Sequence, residues 1–299
     1  MENCKILKCI FRKIQGYRNK NRITKMVSDF NIQKKQMKHN PILVNSIKNT
    51  IKQQRCILEE NCIQSFYDIS VFSTVCPITI VDDRTLNVAA NYKKSKICVL
   101  NFACSTDPGG GVERGSMGQE ESLCRSSTLF PCLCDKKMFK MFYEPHIRKQ
   151  QFLSNDDCIY SPNVIVYRTD EMYPKTMKQQ DWFKVNVITC SAPALHRTGL
   201  CGNSLYEIHL KRLRRILDVA AEDGNEIIIL GAFGCGAFRN EPHIVAEAMM
   251  NVVKHYRHVF KAIVFAVPND KRNNGKEASL NYTVFYNAVF NSFNDCPIQ

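Results

Sequence analysis

Short apolar runs alternate with stretches of helical periodicity through most of residues 80–290. Residues 96–102 (KICVLNF), 163–167 (NVIVY), 185–191 (VNVITCS), 226–230 (EIIIL) and 261–267 (KAIVFAV) are β-prone and largely apolar, the pattern of strands buried on both faces. Residues 70–81 add shorter β-prone pieces. Between them lie helices with readable ends. Asp82 or Asp83 is placed to cap a helix starting near Thr85, and a second runs from about Gln119 toward Leu129 and stops at Pro131. Residues 204–207 (SLYE) form a capping box ahead of Ile208, Leu213, Ile216, Leu217 and Ala220. Asn240-Glu241-Pro242 opens another helix, with Ile244, Val245, Ala248, Met249, Val252 and Val253 along one face, and a last one covers about 278–290. This alternation predicts an α/β protein with a central, largely parallel sheet covered by helices on both faces. Sites in such folds form at the carboxyl ends of strands.

The first 55 residues break the pattern. They hold 14 Lys and Arg against two acids, Glu2 and Asp29, while the whole chain carries a net charge of +13. The basic excess therefore belongs to an N-terminal extension, residues 1–55, helical or partly disordered, ahead of a main domain at 56–299. Val44, Ile47, Ile51, Ile57 and Leu58 predict a helix within 42–62 that packs on the main body. The arm reads either as an electrostatic contact for a polyanion or as a solvated leader.

Composition removes several classes of function. No apolar run approaches the roughly 18–20 residues that span a bilayer, and the N-terminus lacks the apolar centre of a secretory signal. An intracellular protein, cytoplasmic or nuclear, with no membrane contact is expected. The 15 cysteines include Cys98 and Cys190 inside apolar runs, where they act as small hydrophobes in a reducing compartment rather than as a disulfide scaffold. No repeated C-x-x-C or H-E-x-x-H spacing supplies a metal site, and no motif calls for a cofactor. The histidines are scattered without a paired nucleophile, so a Ser or Cys triad has no support.

Chemistry concentrates in two glycine loops. Gly109-Gly110-Gly111 follows the strand at 96–102 and is followed after a seven-residue spacer by Gln119-Glu120-Glu121. Glycines tolerate positive φ and let an anion approach the backbone, and acids in a first helical turn serve either the helix dipole or acid/base work. The second loop, residues 231–240 (GAFGCGAFRN), lies between the strand at 226–230 and the helix opened by Pro242. Its Gly-x-x-Gly-x-Gly turn is the right size to cradle a diphosphate. Phe238 either stacks on a base or packs under the loop, and Arg239 either neutralises phosphate or is solvated. Two such loops on one sheet, one carrying a carboxylate pair, point to a nucleotide-diphosphate-sugar substrate.

The runs VLNFACSTDPGGGVERGSMGQEESLCRSSTLF, IYSPNVIVYRTD, VNVITCSAPAL and ILGAFGCGAFRNEP together resemble the microbial-type poly(ADP-ribose) glycohydrolase family, whose hallmark is GGG, a short spacer and QEE. The resemblance covers roughly residues 75–290 and leaves the arm before about residue 40 outside. It implies a macrodomain-like fold, a three-layer α/β/α sandwich with a central mixed, largely parallel sheet, and hydrolysis of the ribose–ribose O-glycosidic bond of poly(ADP-ribose), or of ADP-ribosylated proteins, by a monomer needing no metal. On that resemblance Glu121 is the catalytic acid and Glu120 anchors ribose hydroxyls. Gln119 shapes the loop or bonds the substrate. Gly109, Gly110 and Gly111 curve around the distal ribose and phosphate, and Asn101 lies near the ribose. Gly234, Cys235, Gly236 and Ala237 offer N–H groups to the diphosphate, and Phe238 flanks the ligand. Asp82 or Asp83 serves either as a helix cap or as an acceptor for the adenine amino group. Cys104 stands where the family often has a small polar residue. The same loops would also serve a non-catalytic ADP-ribose-binding module, and the basic arm alone would suit a nucleic-acid-binding protein; retention of QEE favours the enzyme.

Overall fold

The computed structural model describes residues 2–150, 153–195, 198–269 and 278–294, with side chains from 19 to 292 within them. Two helices come first, α1 (Glu2–His39) and α2 (Pro41–Gln53). They break at Asn40, whose Oδ1 accepts from the N–H groups of Ile42 and Leu43 while Pro41 takes the first helical position. The helix expected within 42–62 thus ends at Gln53, and Arg55–Ile57 forms an edge strand, β1. The apolar residues Ile57 and Leu58 that seemed to continue the helical period belong to that strand and the turn after it.

The remaining elements are β2 (Ile78–Val81), α3 (Thr85–Ala90), β3 (Ile97–Phe102), α4 (Gln119–Ser126), α5 (Leu129–Leu133), α6 (Lys136–Met138), α7 (Glu144–Lys149), β4 (Cys158–Val166), β5 (Phe183–Cys190), α8 (Gly202–Glu222), β6 (Ile227–Leu230), α9 (Pro242–Val253), β7 (Ala262–Ala266) and α10 (Leu280–Asn294). The seven strands form one sheet in the order β1-β4-β5-β3-β6-β7-β2. From β5 to β2 all neighbours are parallel, and β4 and β1 are added antiparallel at one edge. β4 starts five residues earlier than its apolar run at 163–167 because a bulge between Ser161 and Val164, with Asn163 at φ 56°, divides it.

Both faces of the sheet are covered. Leu100, Ile188, Ile228 and Ile263 pack under α8, α9 and α10, while Val99, Val187, Ile229 and Val264 pack under α3, α4 and α5. The alternation of Val99 and Leu100 between the two layers is the period-2 geometry of a strand. α1 joins the second layer through Phe30, while Met37 nearer its end packs with Leu43, Ile165 and Tyr167. Phe30 is fully buried edge-on to Phe130, and Gln33 Nε2 donates to Cys124 O at 3.0 Å.

One expected cap and two expected helix ends differ, although α3 starts at Thr85 as expected. Neither Asp82 nor Asp83 caps α3: Arg84 is at the cap position, and the Leu86 N–H donates instead to Asp170 Oδ2, 84 residues downstream. α4 stops at Ser126 before Pro131, which sits inside the short α5 near its start, where a missing N–H costs nothing. α8 begins at Gly202, so Ser204 is already helical and its expected capping box is not formed.

Candidate active site

β3 is buried along its length and delivers the chain to the sheet's carboxyl edge, where Asp107 O accepts from Gly110 N–H to close the glycine turn. The chain then makes one 3-10 turn, Val112–Arg114, and folds back so that the Ser116 N–H reaches Gly111 O. A buried arginine fixes this return. Arg125, on α4, donates from Nη1 to Ser116 O at 2.6 Å.

Gln119 opens α4 and ties it to the strand end. Its Oε1 accepts from Phe102 N–H at 2.9 Å and its Nε2 donates to Leu100 O at 2.8 Å, so both halves of the amide replace ladder partners at the rim of the sheet. Of the two roles open to it, shaping the loop is the one these bonds perform. Glu120 is 3% exposed, accepts from Cys104 N–H at 2.8 Å and lies 3.4 Å from Asn101 Nδ2. Burial pushes its carboxyl up to about 8, and the neighbouring Glu121 adds in the same direction. Cys104 enters this contact through its backbone, so the side chain that departs from the family pattern is not what Glu120 uses.

Glu121 points the other way, into the glycine turn. Its Oε1 accepts from Gly111 N–H at 2.8 Å. A Cβ on Gly110, which sits at φ 60°, would lie 2.5 Å from Oε1, and one on Gly118 would lie 2.5 Å from Oε2. The two glycines therefore make room for the carboxylate from both sides.

The second loop is held by Asn240. Its Nδ2 donates to Pro193 O at 2.7 Å and Gly234 O at 3.1 Å, and its Oδ1 pairs with His209 Nε2 at 2.8 Å. Burial pulls the His209 imidazole down to about 4, so it is neutral near pH 7.

A cavity of about 480 Å³ joins the two loops, within the size range of small-molecule sites. Gly110, Gly111, Gln119, Glu120 and Glu121 line it from one side, and Gly234, Gly236, Ala237 and Phe238 from the other. Three expected site residues stand behind its wall. Gly109 backs onto Phe130, whose ring would lie 2.7 Å from an added Cβ. Asn101 is fully buried beneath Glu120, between it and Thr189. The Cys235 N–H, expected to face a ligand, is instead donated to Ala232 O within the turn, because the tight bend at Gly234 turns that amide inward.

Residues not anticipated from sequence complete the lining. Arg84, Ser122 and Asp170 form a chain in which Arg84 Nη1 donates to Ser122 Oγ at 3.0 Å and Ser122 Oγ to Asp170 Oδ1 at 2.5 Å. Asp170 is buried and also receives the α3 N-terminus. The run IYSPNVIVYRTD contained this aspartate, but only folding brings it to α3 and α4. Asp82 and Asp83 lie outside this cavity and accept from the Asn269 and Arg84 N–H groups. Among the described residues no group of three His, Cys, Asp or Glu side chains could hold a metal, and no helix is long and apolar enough to cross a membrane.

The family model for the microbial-type PARG catalytic domain matches residues 15–169. The chain belongs to that family. It is thereby placed among the glycosidases, and the match starts inside the basic arm, upstream of the motifs that first carried the resemblance. Solved PARG-family structures share its architecture. The poly(ADP-ribose) glycohydrolase of Thermomonospora curvata bound to the inhibitor ADP-HPD is 26% identical with a TM-score of 0.68, over 81% of this chain and 87% of that one. The Deinococcus radiodurans enzyme in complex with ADP-ribose is 25% identical with a TM-score of 0.71, over 82% of this chain and 97% of that one. No curated protein matches the chain.

Proposed function

We propose that this PARG-family chain hydrolyses the ribose–ribose O-glycosidic bond of poly(ADP-ribose) and releases ADP-ribose, with Glu121 as general acid and base. The carrying observation is the cavity that joins a carboxylate framed by Gly110 and Gly118 to the glycine loop at Gly234. The diphosphate lies along Gly234, Gly236 and Ala237, with Phe238 flanking it, and the distal ribose reaches the turn at Gly110 and Gly111. Glu121 donates its proton to the leaving ribose oxygen as the C1–O bond breaks and positive charge develops at the anomeric carbon. The resulting carboxylate then takes a proton from water as its oxygen bonds that carbon, which restores the acid.

Glu120 is assigned a binding role. Buried against Cys104 and Asn101, with its carboxyl favoured as the neutral acid, it holds ribose hydroxyls and is poorly suited to be an anionic nucleophile. Purified poly(ADP-ribose) incubated with the protein, with products followed by chromatography, tests the reading. Release of ADP-ribose should fall about 10²–10⁴-fold in Glu121→Gln, the usual worth of a general acid. Wild-type release no greater than that of the identically prepared variant would sink it.

A further inference from the structure

We propose that the basic N-terminal helix α1 binds the phosphates of the polymer on the leaving-group side of the scissile bond, and so makes long poly(ADP-ribose) a better substrate than the shortest cleavable piece. The proposal rests on the hydrolytic reading above. It starts from where α1 meets the site. Going up the helix from its C-terminal end, Gln33 bonds Cys124 O on α4, Lys34 pairs with Glu113, and Ile23 touches the loop at Gly115. A Cβ on Gly115 would stand 3.1 Å from both Ile23 O and Ile23 Cγ2. The next residues, Ser116, Met117 and Gly118, line the cavity around Glu121. The helix therefore reaches the rim at the catalytic loop, at the end of the cavity away from the diphosphate loop at Gly234.

That end is where the departing chain must leave. The oxygen that takes Glu121's proton belongs to the next ribose of the polymer, so all remaining units lie past Glu121 at the start of α4. Each brings a diphosphate. Residues 2–25 carry eight Lys and Arg against Glu2 alone. Residues 2–22 of the helix extend roughly 30 Å at 1.5 Å per residue, long enough to follow more than one unit.

Lys25 lies over the Tyr173 ring, 4.3 Å from its centroid, but the cations described at residues 20–25 are not paired with acids. Lys20 and Lys25 are exposed, and neither they nor Arg22 have a carboxylate within 4.0 Å among the described residues. Deeper in the same helix the pattern differs: Lys34 pairs with Glu113, and Asp29 pairs with Arg168. Charges left uncompensated beside the exit of a polyanion raise its local concentration and lengthen its residence. The apolar residues interspersed at Ile6, Ile10 and Ile14 make an anionic lipid surface the rival partner; the contact of Ile23 with the loop at Gly115, next to residues that line the cavity, favours the polymer.

The test uses the full chain with Lys5, Lys8, Arg12, Lys13, Arg18 and Lys20 changed together to Gln. KM for long poly(ADP-ribose) should rise about tenfold at 50 mM salt, with kcat unchanged and with KM for a two-unit substrate unchanged, and the gap should close near 200 mM salt. Long-polymer binding measured in a Glu121→Gln background should weaken by the same factor, which tests the helix even if turnover is not detected. A wild-type protein that cleaves neither substrate refutes the hydrolytic reading, whereas one that cleaves both with the same long-polymer KM as the variant refutes this one. Loss of binding to anionic vesicles or to RNA, with polymer KM and binding unchanged, would likewise overturn it.

Discussion

Replacing Glu120 by Gln should change how stability depends on pH. The native carboxyl titrates near 8 because burial disfavours its anion, against an ordinary value of 4.5. Between those values the folded protein holds a proton that the unfolded chain has released. Stability contributed by this group is therefore fully present below about pH 4.5 and is lost as pH rises toward 8, at about 1.4 kcal/mol per pH unit and on the order of 5 kcal/mol in all. Gln has no proton to exchange. Its Oε1 can still accept from Cys104 N–H, and its amide faces Asn101, whose Oδ1 is buried without a partner. Urea unfolding of both proteins at pH 5, 6.5 and 8 gives the stability difference at each pH. Glu120→Gln should gain on wild type as pH rises, by about 2 kcal/mol from pH 5 to 6.5 and nearly as much again from 6.5 to 8. A difference constant to within about 0.5 kcal/mol, or one that moves in favour of wild type, would refute the assignment of a burial-raised carboxyl to Glu120.

Gly110→Ala should lower kcat by about 100-fold with the circular dichroism spectrum unchanged, because its Cβ would displace the Glu121 carboxylate and its φ of 60° disfavours a side chain. Asp170→Asn should lower stability by roughly 1–3 kcal/mol in chemical denaturation and raise KM, since it loosens both the α3 N-terminus and the Arg84–Ser122 chain at the cavity. Asn240→Ala should weaken ADP-ribose binding by calorimetry about tenfold or more while leaving the Glu121 side of the cavity intact, because three hydrogen bonds from this side chain set the second loop.

The sequence alone determined the layers of this protein and the two loops that face one another in it. Apolar runs of strand length alternating with amphipathic stretches leave few arrangements besides a helix-covered, largely parallel sheet, and glycines mark the places where backbone must bend tightly. Those are local properties, set by side-chain period and by φ. Tertiary structure decided what each polar group in the loops does. Glu120 and Glu121 are neighbours with the same side chain, yet one is driven beneath the loop against Asn101 and the other faces Gly111, because consecutive helical residues point about 100° apart and the sheet edge lies on only one of those sides. Cys235 lost its expected place to a turn whose direction only Gly234 and Asn240 together define, and Asp170 gained one across 84 residues of chain. The basic arm was legible as charge. That its helix meets the glycine-rich loop at Gly115 could be known only once Phe30 and Gln33 had found their partners on α5 and α4, since packing of distant residues, not local preference, fixes where a surface helix lies.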